Sequence, residues 1–530
     1  MTIVRYYHTL IHLKPIQIRY QLWYRIRRYR RKMTRFACPL AIPHEGRPLS
    51  FTAWIDKPVS WNDNTFTFLN KTMKFGKDGI DWNFHKYGKL WTYNLNYFDY
   101  LLQPGADPAA ATELIRHFIS GITNRHIALD PYAIALRGIN WIKFLSRNRV
   151  TDPAFNASLY AQYKMLHSTP EYHLLGNHLL EDAFSLLIGS FYFNDEKFYK
   201  SASGILKSEL KEQILSDGGH FELSPMYHQI MLDRLLDCIN LLQNNHCFED
   251  QNALLAVMCQ KAGKMLQWLH AMTFSNGDVP LFNDSAPGIA ASPRQLTEYA
   301  ARLGLPAAEN SLHSGTLSDS GYRKFTGENY EAIIDIGAPG PSYQPGHAHA
   351  DTFSFVLNVN QKPILIDPGI STYEANQTRL SERGTAFHNT VTVKGRDSSE
   401  VWSSFRMGRR AAVHLIHQSG HEIICEHDGF AELSAIHRRE WYFSEKDIQI
   451  NDMLKGKNTE GKAHFWLAPQ LTPLRRKNTV FLRDAKMTLT NAARIELIKT
   501  TIPQGYNRFT TSYKIEVTFH HHLSIRISGL

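Results

Sequence analysis

Apolar residues recur at helical spacing almost as soon as the chain begins. From Pro15, the positions Ile18, Leu22, Ile26 and Tyr29 stand three and four apart, while Arg19, Arg25, Arg27, Arg28 and Arg30 cover much of the remainder. That interval gathers side chains on one helix face, so the pattern predicts a basic amphipathic helix. Between about 95 and 310, further i, i+3, i+4 apolar repeats occupy 114–122, 139–145, 178–188, 231–242 and 254–272. Polar or Gly/Pro breaks such as 217–219 and 284–287 part them. Successive helices on short connections predict paired-helix packing, as a bundle, a solenoid or a closed toroid. After about residue 318 the texture changes to short β-branched or alternating stretches, at 331–336, 353–359, 364–366, 390–393, 411–416 and 422–425. Phe353, Phe355, Leu357 and Val359 share one parity and should share one strand face. More short strands are expected up to Ile527, which makes the last 210 or so residues an all-β domain, expected to be a sandwich.

Length adds that 530 residues exceed one ordinary core, so two or more domains are expected. The hydrophobic share of 43% is that of a globular protein. The net charge of +10 is local: residues 1–36 hold ten Lys or Arg and no acid, which leaves 49 basic and 49 acidic side chains elsewhere. Overall charge is therefore no argument for an anionic groove. The basic helix reads either as a docking element for an anionic membrane surface or acidic partner, or as a helix packed on the body with a solvated basic side. Five scattered cysteines without a CxxC pair do not suggest a disulfide framework. No secretory signal and no apolar run of membrane-spanning length is visible, so the expected setting is cytoplasmic or peripheral to the inner face of a bacterial membrane.

Three clusters carry candidate chemistry. In LLGNHLLEDAF, at 174–184, Asn177, His178 and Glu181 lie on or beside one helix face. By itself such a trio is more often structural than catalytic. In GGHFELSPMYHQIMLD, at 218–233, Ser224 and Pro225 form a helix start that puts Tyr227 and His228 in the first turn. Free N–H groups and the positive dipole end there would favour a phenolate or a substrate carboxylate, against the bland reading of a core tyrosine. In PGHAHAD, at 345–351, His347 and His349 alternate, followed by Asp367 in LIDPG and His388 in AFHNTV. Two imidazoles and a carboxylate suit Zn²⁺ with a fourth position open. A hairpin turning near Gln361 would leave Asp367 opposite Phe355, so the loop before that strand must fold back if the site is to form.

Taken together, these stretches and two more, LWTYNLNYFDYL at 90–101 and PYAIALRGINWIKF at 131–144, resemble the heparinase II/III family of polysaccharide lyases, in the family's order and over roughly residues 85–410. The resemblance implies a multidomain α+β protein. Residues 1–48 form a basic amphipathic segment, 49–317 an incomplete (α/α) toroid and 318–530 an antiparallel β-sandwich. It further implies β-elimination in a uronate-containing anionic polysaccharide. Tyr227 and His347 match the catalytic tyrosine and histidine, and Asn177 and His178 the pair that neutralises the uronate carboxylate. Glu181, His228, Tyr373 and Arg383 become candidate substrate contacts. His349, Asp367 and His388 match the ligands of a mainly structural Zn²⁺. The bacterium's own surface polysaccharide is the expected setting, and nucleic acid is not an expected partner. Two rivals make different predictions. A glycoside hydrolase would use paired carboxylates, Glu181 with Glu222 or Asp278 with Asp284. A non-catalytic glycan-binding protein would bind without turnover.

Overall fold

The computed structural model describes residues 3–76, 79–123, 127–306, 317–457 and 459–530. Two helices lead, α1 (Ile3–Leu10) and α2 (Pro15–Met33), the second opened by Pro15 at a position where its missing N–H costs nothing. A small antiparallel sheet follows, β1 (Trp61–Asn62), β2 (Thr65–Phe68) and β3 (Lys71–Lys74).

The helical part then runs through α3 (Lys89–Tyr97), α4 (Pro108–Gly121), α5 (Pro131–Asn148), α6 (Pro153–Ser168), α7 (Gly176–Phe193), α8 (Glu196–Gln213), α9 (Pro225–Asn244), α10 (Gln251–Met272) and α11 (Pro293–Arg302). Side chains of Asp107, Asp152, Asp195, Ser224 and Ser292 accept first-turn N–H groups and fix where α4, α6, α8, α9 and α11 begin. Helix α5 packs on α3, α6 and α7; α7 packs on α8 and α9; α9 packs on α10 and α11. Of the 18 residues of α7, every one but His178 is buried, so that helix opens toward solvent at one side chain only.

Helix α11 ends at Arg302 and β4 (Tyr322–Thr326) opens the sheet part. Residues 307–316, which adjoin the expected join at 317/318, lie outside the described residues. Strand β4 pairs antiparallel with β5 (Tyr330–Asp335), β5 with β6 (Phe355–Val359) and β6 with β7 (Lys362–Leu365). The short helix α12 (Gln377–Glu382) and strands β8 (Val391–Val393), β9 (Val401–Trp402) and β10 (Arg406–Met407) follow. The large sheet is then formed by β11 (Val413–Gln418), β12 (Glu422–His427), β13 (Ile436–Phe443), β14 (Asp447–Lys455), β15 (Glu460–Trp466), β16 (Leu474–Arg476), β17 (Thr479–Phe481), β18 (Lys486–Pro503) and β19 (Phe509–Ser528). Its main order is β11-β12-β13-β14-β19-β18-β17-β16, and β15 ties β19 to β8.

The last two strands correct the expectation of short strands throughout. They span 18 and 20 residues and pair along most of their length. Register shifts at 490/492 and 492/494, and a left-handed His521 in the 520–522 histidine run, break the alternation without ending the pairing.

The parity reading of β6 shows where the two parts meet. Phe353, Phe355, Leu357 and Val359 enter the core shared by the four-stranded and large sheets. The opposite face is apolar too: Val356 packs with Leu223, Trp268, Met272 and Phe282. A strand buried on both sides, one of them against the helical part, forms the floor of the junction.

Candidate active site

Asp284, on the connection after α10, is the anchor of this junction. It is fully buried and accepts from three neighbours: His347 Nδ1 at 2.8 Å, His349 Nε2 at 2.9 Å and both terminal nitrogens of Arg379, with Nη2 at 2.7 Å. Burial works against its charge, but the Arg379 guanidinium and the two imidazoles hold its carboxyl well below the usual range. An ionised Asp284 makes Nδ1 of His347 the N–H donor, so that in the neutral imidazole the lone pair is on Nε2. That Nε2 faces Asn177 Nδ2 at 3.3 Å and Glu222 Oε2 at 3.8 Å. The Tyr227 ring stacks on the His347 ring with centroids 3.9 Å apart, and its hydroxyl lies 3.2 Å from that of Tyr373. Four expected residues, Asn177, Tyr227, His347 and Tyr373, thus meet at one point, supplied by α7, α9 and two loops of the sheet part.

Local backbone geometry sets Asn177. Leu175 and Gly176 both have positive φ at the entry to α7, and a Cβ on Gly176 would run into Glu222 Oε1. Glu222 in turn accepts the backbone N–H of Asn177 at 3.0 Å and its Nδ2 at 2.9 Å. Leu223, directly before the Ser224 cap, is also left-handed. Non-glycine residues in this region carry strain that clusters at sites where orientation matters.

His178 sits beside this group, on the Tyr132 ring at 4.6 Å, with Nδ1 2.8 Å from Glu171 Oε2. Burial disfavours its cation, yet Glu171 more than offsets this and its pKa is raised. A partly exposed imidazole whose cation Glu171 favours is a fitting neighbour for a substrate carboxylate.

Several expectations are corrected by placement. His228 is fully buried, stacks near Trp268 at 4.3 Å, and has both ring nitrogens engaged, by the Met265 carbonyl and the His220 N–H. Burial pushes it down to about 3, so it is a neutral core residue with no face toward a substrate. Arg383 is likewise buried and spends its guanidinium on the carbonyls of Ala348, Ser403 and Arg406, where it pins the loop that bears His347. Glu181 lies buried in an ion pair with Arg234 at 3.3 Å, with burial raising it to about 7. It supports α7 against α9 and makes no contact with the Tyr227–His347 pair. The first turn of α9 is no open anion site either: Ser224 Oγ takes the Tyr227 N–H and Ser285 Oγ the Met226 N–H. Burial holds the Tyr227 phenol well above its ordinary pKa, against the lowering effect of the Tyr373 hydroxyl.

The three expected metal ligands lie on the far side of Asp284. The loop at 347–354 does fold back, through a left-handed Phe353, and brings the rings of His349 and His388 to 5.2 Å. His349 donates Nε2–H to Asp284 and His388 donates Nδ1–H to Asp367 at 2.7 Å. Nδ1 of His349, Nε2 of His388 and Oδ2 of Asp351 are buried without partners. Among the described residues no three His, Cys, Asp or Glu side chains already converge as cation ligands. The orphaned nitrogens nonetheless fit a divalent ion, because buried lone pairs without donors are otherwise costly. Asp367 is occupied with His388 and the Gly369 N–H, which suits an orienting carboxylate as well as a ligand.

Sequence reasoning missed Arg379 and Glu171, and weighed Asp284 and Glu222 only as hydrolase carboxylates. Arg379 and Arg383 stand four apart, and it is the first that reaches the site. Asp278 is exposed and bonds Asn276, while Asp284, Glu222 and Glu181 are each locked by other partners. That arrangement disfavours a paired-carboxylate hydrolase.

Helices followed by antiparallel sheets, with a tyrosine–histidine pair at their junction anchored by a buried aspartate, define the class of scaffold. The chain belongs to the heparinase II/III-like family: the heparinase II/III N-terminus model matches residues 134–304 and the heparinase II/III-like C-terminal model matches 310–528. It is similar to the heparin-sulfate lyase of Pedobacter heparinus, 24% identical over 274 residues, or 46% of this chain and 41% of that protein. Its likeness to the heparin-sulfate lyase of Bacteroides stercoris is 23% over 282 residues, 48% of this chain and 41% of that one. The chain therefore matches about two fifths of the length of these curated relatives. Among solved structures, a heparinase III superposes with TM-score 0.65 at 16% identity, covering 86% of this chain and 80% of that one. A mutant of the heparan sulfate lyase HepC from Pedobacter heparinus gives 0.60 at 18%, covering 88% and 81%. At these identities the likeness concerns the fold.

Proposed function

We propose that this protein is a polysaccharide lyase that cleaves a uronate-containing glycan by β-elimination and leaves an unsaturated uronate end. The observation that carries this reading is the Tyr227–His347 stack, with His347 turned by Asp284 so that its Nε2 lone pair faces Asn177. Elimination must remove the C5 proton next to a charged carboxylate. Asn177 and the His178 imidazolium are placed to stabilise the charge that develops on that carboxylate. His347 Nε2 takes the C5 proton, the electron pair forms the C4=C5 bond, and the C4–O4 bond breaks. Tyr227, held protonated by burial, gives its proton to the departing O4. The proton on His347 then returns to the Tyr227 phenolate, so the net transfer is from C5 to O4. Tyr132 on one side and Tyr373 with Phe405 on the other offer ring faces to flanking sugars.

In the same reading, helices from 49–317 form an incomplete (α/α) toroid, 318–530 a β-sandwich, and 1–48 a separate basic segment. The neighbour-to-neighbour packing of the helices and the core shared by two antiparallel sheets support it. A Zn²⁺ would be held by His349 Nδ1, His388 Nε2 and a carboxylate from Asp367 or Asp351. When bound it would neutralise buried charge and brace the loop that carries His347. The bacterium's own surface polysaccharide remains the proposed setting, with the protein cytoplasmic or peripheral to the inner membrane face, and the basic segment as the point of contact.

The test is ultraviolet absorbance of the conjugated alkene-carboxylate during incubation with a panel of uronate polysaccharides. Wild type should produce it and Tyr227→Phe, which keeps the ring stack, should lose on the order of 10²–10⁴ in rate. Equal rates would remove Tyr227 from the mechanism, and new reducing ends without absorbance would replace the lyase by a hydrolase.

A further inference from the structure

The apolar stripe of α2 should bury against the body if the helix were an ordinary packed element. It does the reverse. Helix α2 meets the body through Gln17, Tyr20, Tyr24 and Arg27. Gln17 Nε2 donates to the carbonyls of Leu174 at 3.3 Å and Tyr343 at 3.4 Å, and Arg27 Nη2 to Ser168 Oγ at 2.9 Å. Tyr24 donates to the Pro170 carbonyl, and Tyr20 stacks on Tyr172 at 4.6 Å. Ile18, Leu22, Trp23, Ile26, Tyr29 and Met33 point away and are 48–68% exposed. Helix α1 behaves alike: Arg5 pairs with Glu400, Thr9 bonds the Arg5 and Met407 carbonyls and Tyr6 packs on Trp402, while Ile3, Val4, Tyr7 and Leu10 stay outside. Of the 23 exposed large hydrophobics among the described residues, 14 lie in residues 3–36. Exposed Arg19, Arg25, Arg28, Arg30 and Lys32 flank the stripe, and no acidic residue interrupts it.

We propose that the outward face of α1–α2 docks the protein on an anionic phospholipid bilayer, with α2 lying in the plane of the interface. The 19 residues of α2 span about 28 Å and carry the apolar band from Ile18 to Met33, with guanidinium groups along its edges. Such a band fits acyl chains below and anionic headgroups beside it. Charge selects among occupants: the exposed Arg19, Arg25, Arg28, Arg30 and Lys32 oppose a second copy of the same face and favour a negative surface. The inner face grips 168–174 and Tyr343 and, through α1, 400–407. These segments adjoin Asn177, His347 and Phe405, so docking fixes the active site beside the bilayer.

The experiment floats the full chain with phosphatidylcholine vesicles and with vesicles of equal phosphatidylcholine and phosphatidylglycerol. Binding is expected to the second only, and to weaken as salt is raised. Each basic side chain near the surface contributes about a fivefold factor, so Arg25→Gln/Arg28→Gln/Arg30→Gln should lower partitioning about 100-fold. Leu22→Ser/Trp23→Ser/Ile26→Ser should abolish it with an unchanged thermal melt, because these exposed side chains belong to no part of the apolar core. Failure to float with either vesicle, equal binding to both, or binding that survives the serine triple variant would overturn the proposal. So would self-association that the serine variant dissolves, since the occupant would then be a second copy.

Discussion

Replacing Asp284 by Asn tests the hub of the site, and the structure sets the size of the effect. The substitution removes the charge that receives both terminal nitrogens of Arg379 while nearly preserving shape. Taking one partner from a buried pair costs about 3–5 kcal/mol, and the amide oxygen retained by Asn should place this case near the lower end. The catalytic effect is separate. Turned toward His347, the new amide N–H₂ would donate to Nδ1 and drive the imidazole proton to Nε2, the nitrogen that must be free to take the C5 proton. Loss of a positioned general base is worth about 10²–10⁴ in kcat. The assay is alkene absorbance well below the melting temperature of the variant, with calorimetry alongside. His349→Ala is the control, because it removes one donor from the opposite oxygen of the same carboxylate, which keeps Arg379 Nη1, and leaves His347 bonded. A kcat for Asp284→Asn within about threefold of wild type, despite a lower melting temperature, would refute the view that Asp284 sets the tautomer of His347 and leave it a structural ion-pair partner.

Three further outcomes follow from the same geometry. Glu171→Gln removes the carboxylate that raises the His178 pKa and leaves burial, which lowers it. Because the cation is the form that attracts uronate, KM should begin to rise at lower pH in the variant than in wild type. Superimposed KM–pH profiles would dismiss His178 as the carboxylate contact. Gly176→Ala forces a Cβ toward Glu222 at positive φ, so the Asn177 amide must move. A loss of at least 10-fold in kcat is expected with a stability cost of about 1–2 kcal/mol, checked by kinetics and denaturant titration. Purified protein should hold close to one equivalent of zinc by elemental analysis. His388→Ala should lose it and melt lower, and equal metal content in the two would dismiss the site.

Much of this fold is written in local periodicity. The apolar repeats of α5, α7, α9 and α10 marked those helices because each buries a broad face, and Ser224-Pro225 marked the start of α9 because a cap and a proline act within one turn. The β18–β19 pair was not legible as two long strands: its bulges erase the alternation on which strand reading depends. Site residues divide along the same line. Tyr227, Asn177 and His347 sit in compact motifs whose resemblance to the family named them. Arg379 acts through Asp284, 95 positions away, and Glu171 through His178, seven positions on across a helix entry, and neither pair falls within one regular element whose period would reveal it. His228 and Arg383 show the converse. His228 follows Tyr227 and Arg383 lies four positions after Arg379, yet α-helical rotation turns His228 inward behind Tyr227, and carbonyls consume every arm of Arg383.

The site also explains why two chemically different clusters lie in one loop. His347 and His349 alternate along an irregular segment and reach the two oxygens of a single buried carboxylate, so Asp284 divides them into one imidazole with Nε2 facing Asn177 and another whose Nδ1 is buried without a partner near the His388 ring. The Arg379 guanidinium keeps that carboxylate ionised, which fixes both tautomers at once. An ion bound at His349 and His388 would therefore act on catalysis through the position of Asp284 and of the loop shared by His347 and His349. Arg383 adds a second restraint from the backbone side, because its hold on the Ala348 carbonyl lies between the two histidines. A loop held at His347, Ala348 and His349 in succession has little freedom left, which is the condition for a base that must stay in register with a tyrosine stacked 3.9 Å away.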